Sequence, residues 1–135
     1  MRPEARREAE EWLIRAERDL LVADRSLDGP TVLADAAAFH AQQAAEKALK
    51  AFLAANDQPI QKTHELGVLA DACLRLDAGF SRYRGSLDAL SPFAARFRYP
   101  GGPLEPPLAE AQQAAVLARE VVEFVRERFG PRPSS

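Results

Sequence analysis

Clusters of glycine, proline and short polar residues cut this chain at Asp28-Gly29-Pro30, at Asn56-Asp57-Gln58-Pro59 and across Pro100–Pro107. Between these breaks, neither Thr31–Ala55 nor Leu108–Phe129 contains a glycine or a proline. Alanine and leucine dominate and β-branched residues are scarce, so an unbroken stretch of this kind has helix as its favoured regular structure. The spacing predicts a first helix over about Glu4–Leu27. Trp12, Leu13, Ala16, Leu20, Ala23 and Leu27 recur on one stripe, with Arg7, Glu11, Arg18 and Arg25 largely outside it. Thr31 reads as the N-cap of a second helix running to about Ala55. A third begins near Thr63, carries Leu66, Leu69, Ala70, Cys73 and Leu74 on one face, and has Gly79 as its terminator. Ser81–Tyr99 reads as a fourth, interrupted at Ser91-Pro92. The last spans about Leu108–Phe129 and is closed by Gly130-Pro131, beyond which the chain is expected to fray.

The fold class that follows is all-α: an antiparallel up-and-down bundle of four long helices plus a short fifth. At 135 residues the chain fits one domain, 1–135, with its core over about 4–129. The N-terminus is charged from Arg2 to Glu11 and has no signal-peptide core, and no run approaches the roughly 20 apolar residues of a membrane span. Cytoplasmic localisation without membrane association is the expectation. The single cysteine, Cys73, excludes an intramolecular disulfide and reads as a packed thiol; with only two histidines, no metal site and no cofactor are expected.

The formal net charge is −2, so the surface as a whole does not attract polyanions. Arg82–Gly102 departs from that balance, with four arginines against one acid, Asp88. Three segments carry residues suited to chemistry. In the second helix His40, Gln43, Lys47 and Lys50 share an arc narrower than about a quarter-turn, opposite a buried arc of Ala38, Ala41, Ala45, Ala48, Leu49 and Phe52. That polar stripe is either the solvated side of an amphipathic helix or a row of donors for phosphate or a nucleobase. His64 falls at the start of the third helix, where free backbone N–H groups favour an anion; otherwise it only caps or packs. Arg96-Phe97-Arg98-Tyr99 interleaves guanidinium groups with rings, an arrangement that binds phosphate and stacks on bases, unless Phe97 or Tyr99 tucks into the core.

In this order the segments Phe39-His40-Ala41-Gln42-Gln43-Ala44-Ala45-Glu46-Lys47-Ala48-Leu49-Lys50, Thr63-His64-Glu65-Leu66 and Arg98-Tyr99-Pro100 resemble the HEPN family, over roughly Glu4–Phe129. The resemblance implies a helical bundle, often a homodimer, that works in nucleotide or RNA transactions. It also implies a partner, a minimal nucleotidyltransferase, with which such proteins sometimes form a toxin–antitoxin pair. Carried onto this chain, the nucleotide- or anion-binding positions are Gln43, Lys47, Lys50, His64, Arg98 and Tyr99, with His40 and Arg96 as additions. The family's ribonuclease branch has an arginine and a histidine separated by four to six residues. Here Asp57, Gln58 and Pro59 stand in those places before His64, and Leu33, Ala34 and Asp35 before His40. No catalytic residue is therefore assigned. The leading expectation is a non-catalytic nucleotide- or RNA-binding subunit whose Lys47, Lys50, His64, Arg98 and Tyr99 converge on one groove. The alternatives are a metal-independent ribonuclease using His64 with Arg96 or Arg98, and a purely structural dimeric partner.

Overall fold

The computed structural model describes residues 1–130; the chain end expected to fray, from Pro131 on, lies outside the described residues. The fold is an all-α bundle, and no strand occurs among the described residues. Its elements are α1 (Pro3–Leu27), α2 (Ala34–Ala55), α3 (Leu66–Leu74), α4 (Arg84–Leu90) and α5 (Leu108–Phe129). Short 3-10 turns at Ala78–Tyr83 and Ser91–Ala94 flank α4. Three helices are long, while α3 and α4 are shorter than the hydrophobic spacing indicates.

Each shortening has an identifiable cause. The Thr63 hydroxyl accepts from the backbone N–H of Glu65, and the N–H of Leu66 donates to Ser91 Oγ at 2.6 Å, so α3 starts at Leu66 rather than near Thr63. Pro92 cannot continue the hydrogen-bond ladder of α4, and the chain tightens at Ser91-Pro92 as its sequence indicates. Thr31 does not cap α2: the helix begins three residues later, where the Leu33 N–H is taken by the Ser26 carbonyl at 2.8 Å. Gly79 does not terminate α3 either. It lies in the turn before α4, where a Cβ would meet the Phe124 ring at 2.8 Å, so close approach of α5 is what requires glycine here. Asp77 opens that turn, accepting from the Gly79 N–H and from Arg128, and the Arg128 guanidinium holds its carboxyl below the usual range.

Helix α2 is the centre of the bundle, packed by α1, α3 and α5. It pairs antiparallel with α1, with Arg2 meeting Asp57 at one end and Leu33 meeting Ser26 at the other. Helix α5 lies antiparallel along α1 through Arg126 to Glu10 and Glu17 and Arg119 to Asp24. The core includes Leu13, Leu49, Leu53, Leu69, Val121 and Val125. At one end Phe80 stands edge-on between Phe52 and Phe124, with ring centroids 4.8 and 4.7 Å away. Cys73 is fully buried; burial pushes its thiol up to about 12, so it stays protonated and unreactive in the folded chain.

Two measurements test this packing. Phe80→Ala removes the ring that joins α2 to α5 and is expected to cost about 3–5 kcal/mol, read from the denaturant midpoint; a loss under about 1 kcal/mol would show that the aromatic cluster is not the core contact. Native protein at pH 8 should leave Cys73 unmodified by a thiol-specific reagent, with full labelling once denaturant unfolds it.

Candidate functional site

Because neighbours cover most of α2, its polar side chains have little water to turn to. Fifteen of its residues are buried, among them Gln42, Glu46 and Lys50. The stripe His40, Gln43, Lys47 and Lys50 is thus neither a solvated face nor one continuous row of free donors. It splits into two groups of protein contacts.

The first group is built on Asp19, a buried carboxylate in the apolar stripe of α1. It accepts from His40 Nδ1 at 2.8 Å and from Lys47 Nζ at 2.6 Å, binding α2 to α1. The second is built on Glu46, which is 3% exposed. Its Oε2 accepts from Lys50 Nζ at 3.0 Å, and its Oε1 accepts from His64 Nδ1 at 2.9 Å and weakly from Gln42 at 3.4 Å. Lys50 also lies 5.5 Å from the centre of the Trp12 ring, whose face favours a cation. Residues 57–65 run back beside α2, and the His64 carbonyl accepts from Gln42 Nε2 at 3.1 Å and from the Ser91 hydroxyl at 3.5 Å. His64 therefore stands two residues ahead of α3, oriented by Glu46 and not by a helix terminus, with an imidazole that is still largely exposed.

A groove of about 630 Å3 opens beside this histidine, between α2 and the segment from Ser91 to Tyr99. That volume is within the roughly 300–1,000 Å3 of small-ligand sites. Its walls include Phe39, Gln43, His64, Glu65, Arg98 and Tyr99. The Arg98 guanidinium packs over the Phe39 ring, 4.3 Å from its centre, and has no carboxylate partner among the described residues. Tyr99 is 70% exposed, whereas Phe97 tucks against the core.

Of the positions singled out from the sequence, Gln43, His64, Arg98 and Tyr99 come together in this groove. Lys47 and Lys50 do not: their amines are drawn to Asp19 and Glu46, and the convergence expected of them is corrected on that ground. His40 belongs to the Asp19 group. Arg96 points elsewhere, stacking on Phe97 and lining a separate groove of about 760 Å3 against α5.

Comparison with known families gives a match to the HEPN domain over residues 9–128, which takes in all or part of every helix. The chain belongs to the HEPN domain family. No curated protein and no solved structure matches it.

Several residues of this HEPN domain's groove and its supports have no site role in the sequence reading: Asp19, Phe39, Gln42, Glu46, Glu65 and Ser91. Two of them carry a readable signal. Asp19 interrupts the apolar stripe between Ala16 and Ala23, and Gln42 lies inside the alanine arc of α2, where a polar group needs a protein partner. Ser91 carries none, because its role comes from a contact across 25 positions. Among the described residues no three His, Cys, Asp or Glu side chains gather to hold a metal ion; the two carboxylate–histidine pairs of the HEPN domain are separate. What the groove can do chemically is present one guanidinium unpaired among the described residues, one imidazole fixed through Nδ1 with no described partner at Nε2, and an open aromatic face.

The Glu46–Lys50 pair is the support most open to test. Glu46→Ala leaves a buried ammonium without its counter-charge and is expected to cost about 3–5 kcal/mol in a denaturant titration. Glu46→Leu combined with Lys50→Met should recover most of that stability. A single variant as stable as the parent would show that Lys50 does not depend on the carboxylate.

Proposed function

We propose that this HEPN domain is a non-catalytic nucleotide- or RNA-binding subunit whose ligand lies in the groove of Gln43, His64, Arg98 and Tyr99. The observation that carries the reading is Arg98, a cation with no carboxylate partner among the described residues, set on Phe39 beside an exposed tyrosine ring. A guanidinium offers phosphate two parallel N–H bonds, and an exposed ring offers a base a face to stack on. In this reading Lys47 and Lys50 serve through Asp19 and Glu46, holding α2 in place. Family membership supports a second element of the proposal: a homodimer acting beside a minimal nucleotidyltransferase, in a toxin–antitoxin arrangement.

One observation favours a second reading. Glu46 orients His64 through Nδ1, and Arg98 borders the same groove, so an imidazole and a guanidinium stand ready for metal-independent attack on RNA. Against it stands the absent Arg-x(4–6)-His motif.

Titration of nucleotides and short RNAs at two salt concentrations tests the binding reading. Arg98→Ala should weaken binding roughly tenfold to hundredfold, the worth of about 1.5–3 kcal/mol for a charge-assisted contact. It should also lower the salt slope by about one. Lys47→Ala should change affinity far less. Equal affinity in the parent and Arg98→Ala would end the groove assignment. RNA cleavage that survives chelators and is abolished by His64→Ala would favour the second reading.

A further inference from the structure

We infer that the groove accepts a single phosphate with its adjoining nucleoside, and discriminates against the polyphosphate of a nucleoside triphosphate. The inference rests on the binding reading above and adds the charge of the ligand to it.

The reason is the charge inventory of the walls. Among the groups lining the groove there is one guanidinium, Arg98, and one carboxylate, Glu65. Of the chain's three lysines, Lys62 is exposed and lies outside the groove's walls, and the other two are engaged, because Lys47 Nζ is 2.6 Å from Asp19 and Lys50 Nζ is 3.0 Å from Glu46. Neither amine can turn to a ligand without taking its ammonium away from a buried carboxylate. His64 adds at most one positive charge, and its Nδ1 is already directed at Glu46. Formal charge in the groove is therefore zero with a neutral imidazole, and one with a protonated imidazole.

A phosphodiester carries one negative charge, which a single guanidinium matches, and a terminal monophosphate carries about −1.5 to −2, still well below a triphosphate. A triphosphate brings two further charged phosphates, for which the groove's walls hold no second guanidinium or ammonium, while the Glu65 carboxylate repels them. The remaining walls suit the nucleoside. Tyr99 provides an open ring, and Gln43, with its amide nitrogen engaged by Gln42 at 2.7 Å, keeps a carbonyl oxygen to accept from a base.

The test is equilibrium titration of the full chain with adenosine monophosphate, adenosine triphosphate and a single-stranded adenine hexanucleotide, with and without magnesium. The expected result is that the triphosphate binds more weakly than the monophosphate. The hexanucleotide arm separates the two sources of the same chemistry: tighter binding than the monophosphate assigns the site to a strand, and equal or weaker binding to a free mononucleotide. Glu65→Gln removes the carboxylate and should raise affinity for the triphosphate more than for the monophosphate. A parent protein that binds the triphosphate as tightly as the monophosphate or tighter, or a Glu65→Gln variant that shifts both ligands equally or not at all, would overturn the inference while leaving the binding reading intact. Binding of none of the three ligands would overturn both.

Discussion

A helix covered on most sides must satisfy its polar side chains with protein, because an unpaired buried polar group costs more than a hydrogen bond returns. Helix α2 is under that constraint along most of its length. Gln42, Glu46 and Lys50 are placed one turn apart on a helix whose other contacts are mainly alanines and leucines. Their partners must come from each other, from α1 or from the chain that returns past α2. All three sources are used: Lys50 bonds Glu46, Lys50 lies over Trp12, and Gln42 and Glu46 hold His64. The small alanines make the constraint tighter, since they let neighbouring helices approach and leave little room for water.

The groove is a product of the same constraint. Pinning His64 by its carbonyl and its Nδ1 fixes the strand-like segment ahead of α3, and Ser91 ties that segment to the turn after α4. The Ser91–Tyr99 stretch is then set opposite Phe39 on α2, and Arg98 comes to rest on that ring. Charges in this region divide by their surroundings. Those on α2 and α1 are neutralised in place, while Arg98, on the turn, is not. A cation next to an exposed ring, with its protein partners all spoken for elsewhere, is the arrangement a ligand can use.

Most of the fold was legible in the sequence, because it follows from local signals. Helix α5 begins and ends where Pro107 and Gly130 place it, and α1 ends at the Asp28-Gly29-Pro30 break. The start of α3 was not legible: the group that satisfies Leu66 is a side chain 25 positions away, and nothing near Thr63 encodes it. The α2 stripe was misread for a related reason. Periodicity shows which residues share a face, but whether that face meets water depends on how α1 docks, and Asp19 is the residue that decides it. Four residues of the candidate groove, Gln43, His64, Arg98 and Tyr99, stand out in the sequence by residue chemistry and the ordered motifs. The supporting residues required knowing which helices touch.

Stability alone does not account for Glu46 and Lys50, since well-packed apolar residues of similar size often serve a buried position as well or better. What the carboxylate supplies is direction. Leucine at position 46 could fill the space, but it would give the His64 ring no acceptor and the returning segment no fixed height along α2. A buried ion pair specifies one register among several that apolar packing alone would tolerate, the best-attested use of such pairs. In this HEPN domain the register matters because it sets which part of residues 57–65 faces Arg98. The pair inside the bundle is thereby coupled to the geometry of the groove at its surface, through a single imidazole held at 2.9 Å.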